Sequence, residues 1–315
     1  EPRPWDARDE LAVVGKPHPR IEAAAKVTGA AKYTHDVLPP NVQHAAVLRC
    51  PHACAVVEAV DVAPAKSLPG VSAVIALVKP GERLLFAGQD VAAACAATPE
   101  QAEDALARIA VRYKPEPFVV DTARAMEDGA PVVHRGKVEE RVTEGDEPGA
   151  GGSAGQRGNV RTSPSMKKGD AAKGLRAAKV VHEATYTTQV HTHAALETHS
   201  IVVRWDGPKK ATVWCSTQGI FSVRDEFAEV FALRPADVHV HTEFLGGGFG
   251  AKFGASAPGS RMGFIAGELA RLAKAPVRLV LDRREEHTCT GNRPDSRQHV
   301  SLGAGPDGQL TAIHV

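Results

Sequence analysis

Long apolar runs are missing from this chain. No stretch of about 18 apolar residues occurs, so nothing reads as a membrane-spanning helix. The first residues, Glu1-Pro2-Arg3-Pro4-Trp5, lack the hydrophobic core of a signal peptide, although a chain that starts without Met is compatible with a leader already removed. The expected compartment is cytoplasmic, with periplasmic as the alternative. Cysteine is scarce as well. Five irregularly spaced cysteines, with no C-x-x-C and no ferredoxin-like C-x4-C-x2-C, exclude a disulfide framework and an iron–sulfur cluster held by this chain alone. Net charge is only +1 and the basic residues are scattered, which excludes a nucleic-acid or membrane-surface footprint. The 14 histidines contain no H-E-x-x-H pair and read as packing and hydrogen-bonding residues.

What is present is glycine in one telling place, Gly246-Gly247-Gly248-Phe249-Gly250-Ala251-Lys252-Phe253, after an alternating strand-like run over 238–244. Consecutive glycines leave backbone N–H groups bare and permit positive φ, so a polar or anionic ligand can approach the peptide itself. A plain strand-to-helix turn accounts for the glycines equally well. The string lacks the Lys-Ser/Thr ending of a P-loop and the spacing of G-x-G-x-x-G, so nucleotide binding by this loop is the least favoured reading.

The length suggests two domains or one large one. Residues 1–19 read as an extended arm. Over 20–125, strand-like pieces at 46–48, 56–61, 71–77, 91–96 and 110–113 surround a helix opened by Thr98 as N-cap and Pro99 at the first helical position. Residues 126–170 are rich in glycine and form a linker. Beyond it come a helix over 171–178, strands over 180–189, 201–205 and 211–215 (the last two a hairpin turning at Asp206-Gly207), a helix over 221–233, the glycine loop, a helix over 260–273 and a strand over 277–281. This alternation suggests an α/β arrangement for residues 171–315, with the sheet order not readable.

Taken in order, these pieces resemble the molybdenum-cofactor-binding large subunit of the xanthine oxidase family of molybdenum hydroxylases. The resemblance runs from about Val14 to the end. Gly15-Lys16-Pro17, Lys26-Val27-Thr28-Gly29, Pro51-His52-Ala53, Leu68-Pro69-Gly70-Val71 and Gly88-Gln89-Asp90-Val91 look like the family's hammerhead domain. Gly158-Asn159-Val160, Gly169-Asp170, the run from His193 through Glu197 to His199, Ser216-Thr217-Gln218 and the GGGFGAK loop look like its first cofactor-binding domain. The implied fold is α+β: an α/β hammerhead domain followed by a mixed α/β cofactor-binding domain. The implied activity is oxidation of an aldehyde or aromatic N-heterocycle with water as oxygen source.

By the same resemblance, molybdenum is held by a pterin and by no protein side chain, with the cytosine dinucleotide as one form the pterin takes. Gln218, Gly247, Gly248, Phe249 and Gly250 are the implied cofactor-binding residues, and Phe253 lines the substrate pocket. His193, Glu197 and His199 support the site, as a buried carboxylate paired with histidine. Two departures stand out. Phe253 replaces the glutamate of purine-oxidising members, which favours an apolar or aromatic substrate. The general-base glutamate is expected outside this chain, so no catalytic residue is assigned within it and the chain reads as the N-terminal part of a large subunit, split or partial. The implied partners are a two-iron two-sulfur subunit, an FAD-binding or haem-carrying cytochrome subunit, and a chain carrying the second cofactor domain. A different class, a non-catalytic cofactor-binding or assembly subunit, remains the alternative.

Overall fold

The computed structural model describes residues 9–135, 156–161 and 166–315. The first eight residues of the expected arm, and residues 136–155 and 162–165 of the expected linker, lie outside the described residues. In chain order the elements are α1 (Ala23–Val27), β1 (Gln43–Arg49), β2 (Ala55–Asp61), α2 (Ala63–Lys66), β3 (Val71–Ala76), β4 (Arg83–Leu84), β5 (Asp90–Ala96), α3 (Pro99–Ala107), β6 (Ala110–Pro115) and α4 (Thr122–Ala125). After them come β7 (Gln156–Arg157), β8 (Val160–Arg161), α5 (Ala171–Ala177), β9 (Val180–Thr188), β10 (Ser200–Gly207), β11 (Lys210–Cys215), α6 (Ile220–Val230) and β12 (Val238–His241). The last are α7 (Met262–Ala273), β13 (Val277–Val280), α8 (Arg283–Thr288), β14 (Ser296–Ala304) and β15 (Leu310–His314).

Local chemistry explains the clearest elements. Every residue of β5 is buried, because β1 and β3 flank it in the sheet and helices α3 and α7 cover it. Helix α3 begins as its sequence requires, with the Thr98 hydroxyl accepting from the Gln101 N–H and Pro99 in the first turn. Helix α7 buries Met262, Ile265, Ala266, Leu269 and Ala270 at helical spacing. Gly267 on that face admits the Phe231 ring, which a Cβ there would strike.

The principal sheet has seven strands in the order β12-β11-β10-β13-β1-β5-β3. Strands β10 and β11 form the expected hairpin, pairing Ile201 with Cys215 and Val203 with Val213. Helix α6 then carries the chain over to β12, which lies parallel to β11. Strand β13 inserts between β10, to which it is antiparallel, and β1, to which it is parallel with Gln43 opposite Val277. The α/β expectation for residues 171–315 therefore becomes a mixed sheet, and the sheet crosses the sequence division at 126–170. Two three-stranded sheets, β4-β2-β6 and β15-β14-β9, complete the fold with the small β7-β8 pair. The strand expected over 238–244 stops at His241, where the Thr242 hydroxyl turns inward to donate to the Cys215 carbonyl at 2.5 Å.

Strand direction gathers the pieces named by the motifs. The parallel strands β11, β12, β13 and β1 all finish at one end of the sheet. Strand β10 runs against β11 and β13, so the segment entering it, residues 193–199, arrives at that same end. The chain leaving β11 (Ser216-Thr217-Gln218), the glycine loop leaving β12 and α8 leaving β13 meet it there, at the carboxyl edge where ligands of open α/β sheets bind.

Candidate functional site

The glycine loop is tied on both sides by hydrogen bonds. Gly246 donates its N–H to Glu197 Oε2 at 2.7 Å, and its carbonyl accepts the Glu197 N–H at 3.3 Å. On the other side the Gly250 N–H donates to Gln218 Oε1 at 2.9 Å. The Gln218 N–H donates to the Lys252 carbonyl at 2.5 Å, and the same carbonyl accepts the Thr217 hydroxyl at 3.1 Å. A turn closed by Ala251 N–H to Gly248 O at 3.0 Å forces left-handed backbone at Phe249 (φ 51°) and Gly250 (φ 92°), after Gly247 (φ 99°). For Phe249 that conformation costs roughly 1–2 kcal/mol. Gly248 has no room for a side chain, since a Cβ there would stand 2.6 Å from Cδ of Gln218.

The outer side of this loop is open and polar. Among the described residues, the N–H groups of Gly247, Gly248 and Phe249 and the Gln218 side-chain amide nitrogen donate to no protein group. Gln218, Gly250 and the Phe249 ring, 62% exposed, stand at the surface. Phe253 follows directly, its ring 36% exposed and its carbonyl 3.4 Å from the Thr217 hydroxyl. The structure thus brings Gln218, Gly247, Gly248, Phe249 and Gly250 to one lip, with Phe253 beside it.

Beneath the loop lies a buried ionic layer. Lys252 is 1% exposed, and its ammonium donates to the Glu197 carbonyl at 2.7 Å and the Thr198 carbonyl at 3.4 Å, with Glu197 Oε2 at 3.5 Å. Burial pulls the Lys252 amine below its ordinary value, against the charges of Glu197 and Glu286. His199 is equally enclosed. Its backbone N–H and its Nδ1, at 2.8 Å, both meet Glu286 Oε1, while Nε2 lies 3.0 Å from the Ala251 carbonyl. The expected pairing of carboxylate and histidine therefore takes a different form: His199 meets Glu286 of α8, and Glu197 is committed to Gly246 and Lys252. His193 is half-buried with Nδ1 unpartnered, and burial, then the charge of Arg293, lowers its basicity. Arg283 holds the segment down by donating to the carbonyls of Ala195 (2.7 Å) and Leu196 (3.0 Å).

Lys252 and Glu286 carry no role in the sequence reading. The legible signal near Glu286 was the spacing Asp282-x-x-Glu285, which forms a complete capping box and turns the next residue, Glu286, inward. Among the described residues no group of three or more His, Cys, Asp or Glu is placed to hold a metal ion. Hollows exist elsewhere. One of about 870 Å³, lined by Pro39, Trp205, Pro208 and Pro276, sits at the opposite end of the sheet, and one of about 250 Å³ lies by Phe86 and Phe118.

A family model described as the molybdopterin cofactor-binding domain matches residues 154–315, which include every residue of this lip. The chain belongs to this family, in the xanthine oxidase type of molybdopterin-binding large subunit. It is 30% identical over 322 residues to the aldehyde oxidoreductase molybdenum-binding subunit PaoC of Escherichia coli (strain K12), an alignment that covers 97% of this chain and 40% of PaoC. Identity to the nicotinate dehydrogenase large molybdopterin subunit of Eubacterium barkeri is 28%, over 96% of this chain and 69% of that one. Among solved structures, Cu,Mo-CO dehydrogenase superposes with a TM-score of 0.79 at 27% identity, over 95% of this chain and 39% of that one. Quinoline 2-oxidoreductase from Pseudomonas putida 86, at 24% identity and a TM-score of 0.77, shares the fold. The chain spans 40% of the length of the first of these relatives. Among the described residues no helix is long and apolar enough to cross a membrane.

Proposed function

We propose that this chain is the cofactor-binding part of a molybdenum hydroxylase that oxidises an aldehyde or aromatic N-heterocycle, with water as the oxygen source. The observation that carries the reading is the row of unpartnered donors, the N–H groups of Gly247, Gly248 and Phe249 with the Gln218 amide, on a loop where a side chain at Gly248 would run into Gln218. Donors of this kind fit a group that presents oxygens and needs no protein ligand for its metal. When bound, the molybdenum–pterin group supplies the redox chemistry, taking two electrons from the substrate carbon and passing them on. Gln218 is oriented for its part by the bond from Gly250 to its Oε1, which turns its amide NH2 outward. Phe253 offers an apolar ring to an aromatic substrate.

The general-base carboxylate, in this proposal, comes from outside the 315 residues. Glu197 and Glu286 are the buried carboxylates under the loop; each is tied through one oxygen, Glu197 to Gly246 and Lys252 and Glu286 to His199, and neither reaches the exposed lip. The assignment of His193, Glu197 and His199 as supporting residues belongs to the same proposal, as does the division into an arm over 1–19, a hammerhead unit over 20–125, a linker over 126–170 and a cofactor domain over 171–315. The names of the relatives as large subunits support partner chains. We assign these as a two-iron two-sulfur subunit, an FAD-binding or cytochrome subunit, and a chain bearing the second cofactor domain. The pterin form proposed is the cytosine dinucleotide and the compartment cytoplasmic, with periplasmic as alternative.

The test is metal and pterin analysis of the protein as purified, together with its turnover of aromatic aldehydes and N-heterocycles. About one molybdenum per chain with turnover is the expected result. Molybdenum without turnover in the complete assembly would instead identify a non-catalytic carrier, and no molybdenum would overturn the assignment of the lip.

A further inference from the structure

No motif singles out Glu286, yet it is wholly buried on α8, and its Oε2 has no partner among the described residues. Its Oε1 accepts the His199 backbone N–H and faces His199 Nδ1 at 2.8 Å. On the far side of the ring, Nε2 lies 3.0 Å from the Ala251 carbonyl. A carbonyl oxygen only accepts, so Nε2 carries a hydrogen. Burial pushes the Glu286 carboxyl up, but the hydrogen bond and charge of His199, its backbone N–H and the charge of Lys252 together outweigh it and hold the carboxyl below its ordinary value. His199 is thus held at both ends, by Glu286 Oε1 at Nδ1 and by the Ala251 carbonyl at Nε2.

We propose that Glu286 is a positioning residue for the cofactor: through the His199 ring it fixes the Ala251 carbonyl, and with it the loop whose amides form the lip. The Ala251 carbonyl adjoins the Lys252 carbonyl from which Gln218 and Thr217 hang, so a shift at one end is felt at the donors. Other groups face the pair. Lys252 lies on the loop side with Glu197 and Cys215 near its ammonium, His193 lies with Arg293 on the segment entering β10, and Arg283 grips that segment from α8. Of these, Lys252 favours the ionised Glu286, and burial with the charge of Arg293 lowers the basicity of His193. The strut is complete above the ordinary carboxylate range and is lost as pH falls through the lowered Glu286 value.

This inference rests on the cofactor reading of the loop, and its test separates the two. Hydrogen exchange of peptides covering 246–252 and 216–218 is compared between wild type and Glu286→Gln across pH, on the protein with whatever chains accompany it. The variant keeps the volume and one acceptor but removes the charge. Loop peptides should exchange about tenfold faster at neutral pH, the scale of one lost charge-assisted hydrogen bond. The β10 and β11 peptides should be unchanged, molybdenum content should fall in step, and the acid-side loosening of the wild type should vanish. Unaltered loop exchange with an unaltered pH profile overturns the positioning role while leaving the cofactor reading in place. Wild-type protein without molybdenum overturns the cofactor reading instead. Nitrogen-15 spectra of histidine-labelled wild-type protein need no variant: a hydrogen on Nε2 of His199 at neutral pH is required, and a ring protonated at Nδ1 alone sinks the proposal.

Discussion

Gly248 is the residue at which a side chain would contend directly with Gln218. Its missing side chain is the space that the Gln218 amide occupies, and Gln218 in turn accepts from Gly250, so a single Cβ would displace both the amide and the backbone N–H that orients it. Gly248→Val is therefore expected to abolish bound molybdenum while leaving β1, β3 and β5 paired, which far-UV circular dichroism and metal analysis would report together. Full metal retention would remove the loop from the site. Phe253 makes a different claim, about substrates. An apolar ring offers no hydrogen bond to a purine, and a missing partner costs a polar substrate about 1–3 kcal/mol, or roughly ten- to a hundredfold in discrimination. Purines should be turned over poorly relative to aromatic aldehydes, and Phe253→Glu should shift the ratio of kcat/KM toward purines by about that factor. An unmoved ratio would mean that residue 253 does not reach the substrate.

Among the elements, legibility follows burial. Strand β5 reads as a strand because both its faces are covered and its residues from Val91 to Ala96 are small and apolar. Helix α3 reads as a helix because Thr98-Pro99 marks its start and Ala102, Ala105 and Leu106 share its buried face. Strands β14 and β15 were not legible. Half of their residues are exposed, and the run Ser296-Arg297-Gln298-His299 shows no alternation, so long-range pairing with β9 makes a strand of it. Helix α8 escaped notice because its six residues, Arg283–Thr288, are polar throughout and have no apolar stripe. Yet α8 supplies both Arg283 and Glu286 to the site. The lip itself was legible because glycines, Gln218 and the 193–199 segment recur in a recognisable order. The layer beneath it was not, since no local pattern tells which carboxylate a histidine 87 residues away will meet.

At the scale of the whole molecule, the β1–β13 pairing decides how the two stretches of sequence depend on each other. The Gln43 N–H donates to the Pro276 carbonyl at 2.7 Å, and the ladder then joins His44 to Arg278 and Ala45 to Leu279. One apolar core contains Val47, Leu77, Ala93 and Cys95 from before residue 126 together with Phe227, Leu269 and Leu279 from after it. A buried polar cluster crosses the same seam. Arg49 donates to Asp90, to Glu285 Oε1 at 2.9 Å and to Ser260 Oγ at 3.0 Å, while Asp90 Oδ2 accepts the Arg261 N–H at 2.7 Å. Burial pushes the Glu285 carboxyl up, and Arg49 is the cation that opposes it. A fragment of residues 166–315 would expose the edge of β13, lose burial worth about 1.5–3 kcal/mol for each large side chain uncovered, and leave Glu285 without its arginine. These losses together approach the whole stability of a typical domain. The fragment should therefore melt far below the intact chain or fail to fold, and residues 9–135 supplied as a separate chain should restore it. Thermal unfolding followed by circular dichroism decides the matter: a fragment that melts cooperatively at the temperature of the intact chain would show that the shared sheet couples the two stretches only weakly.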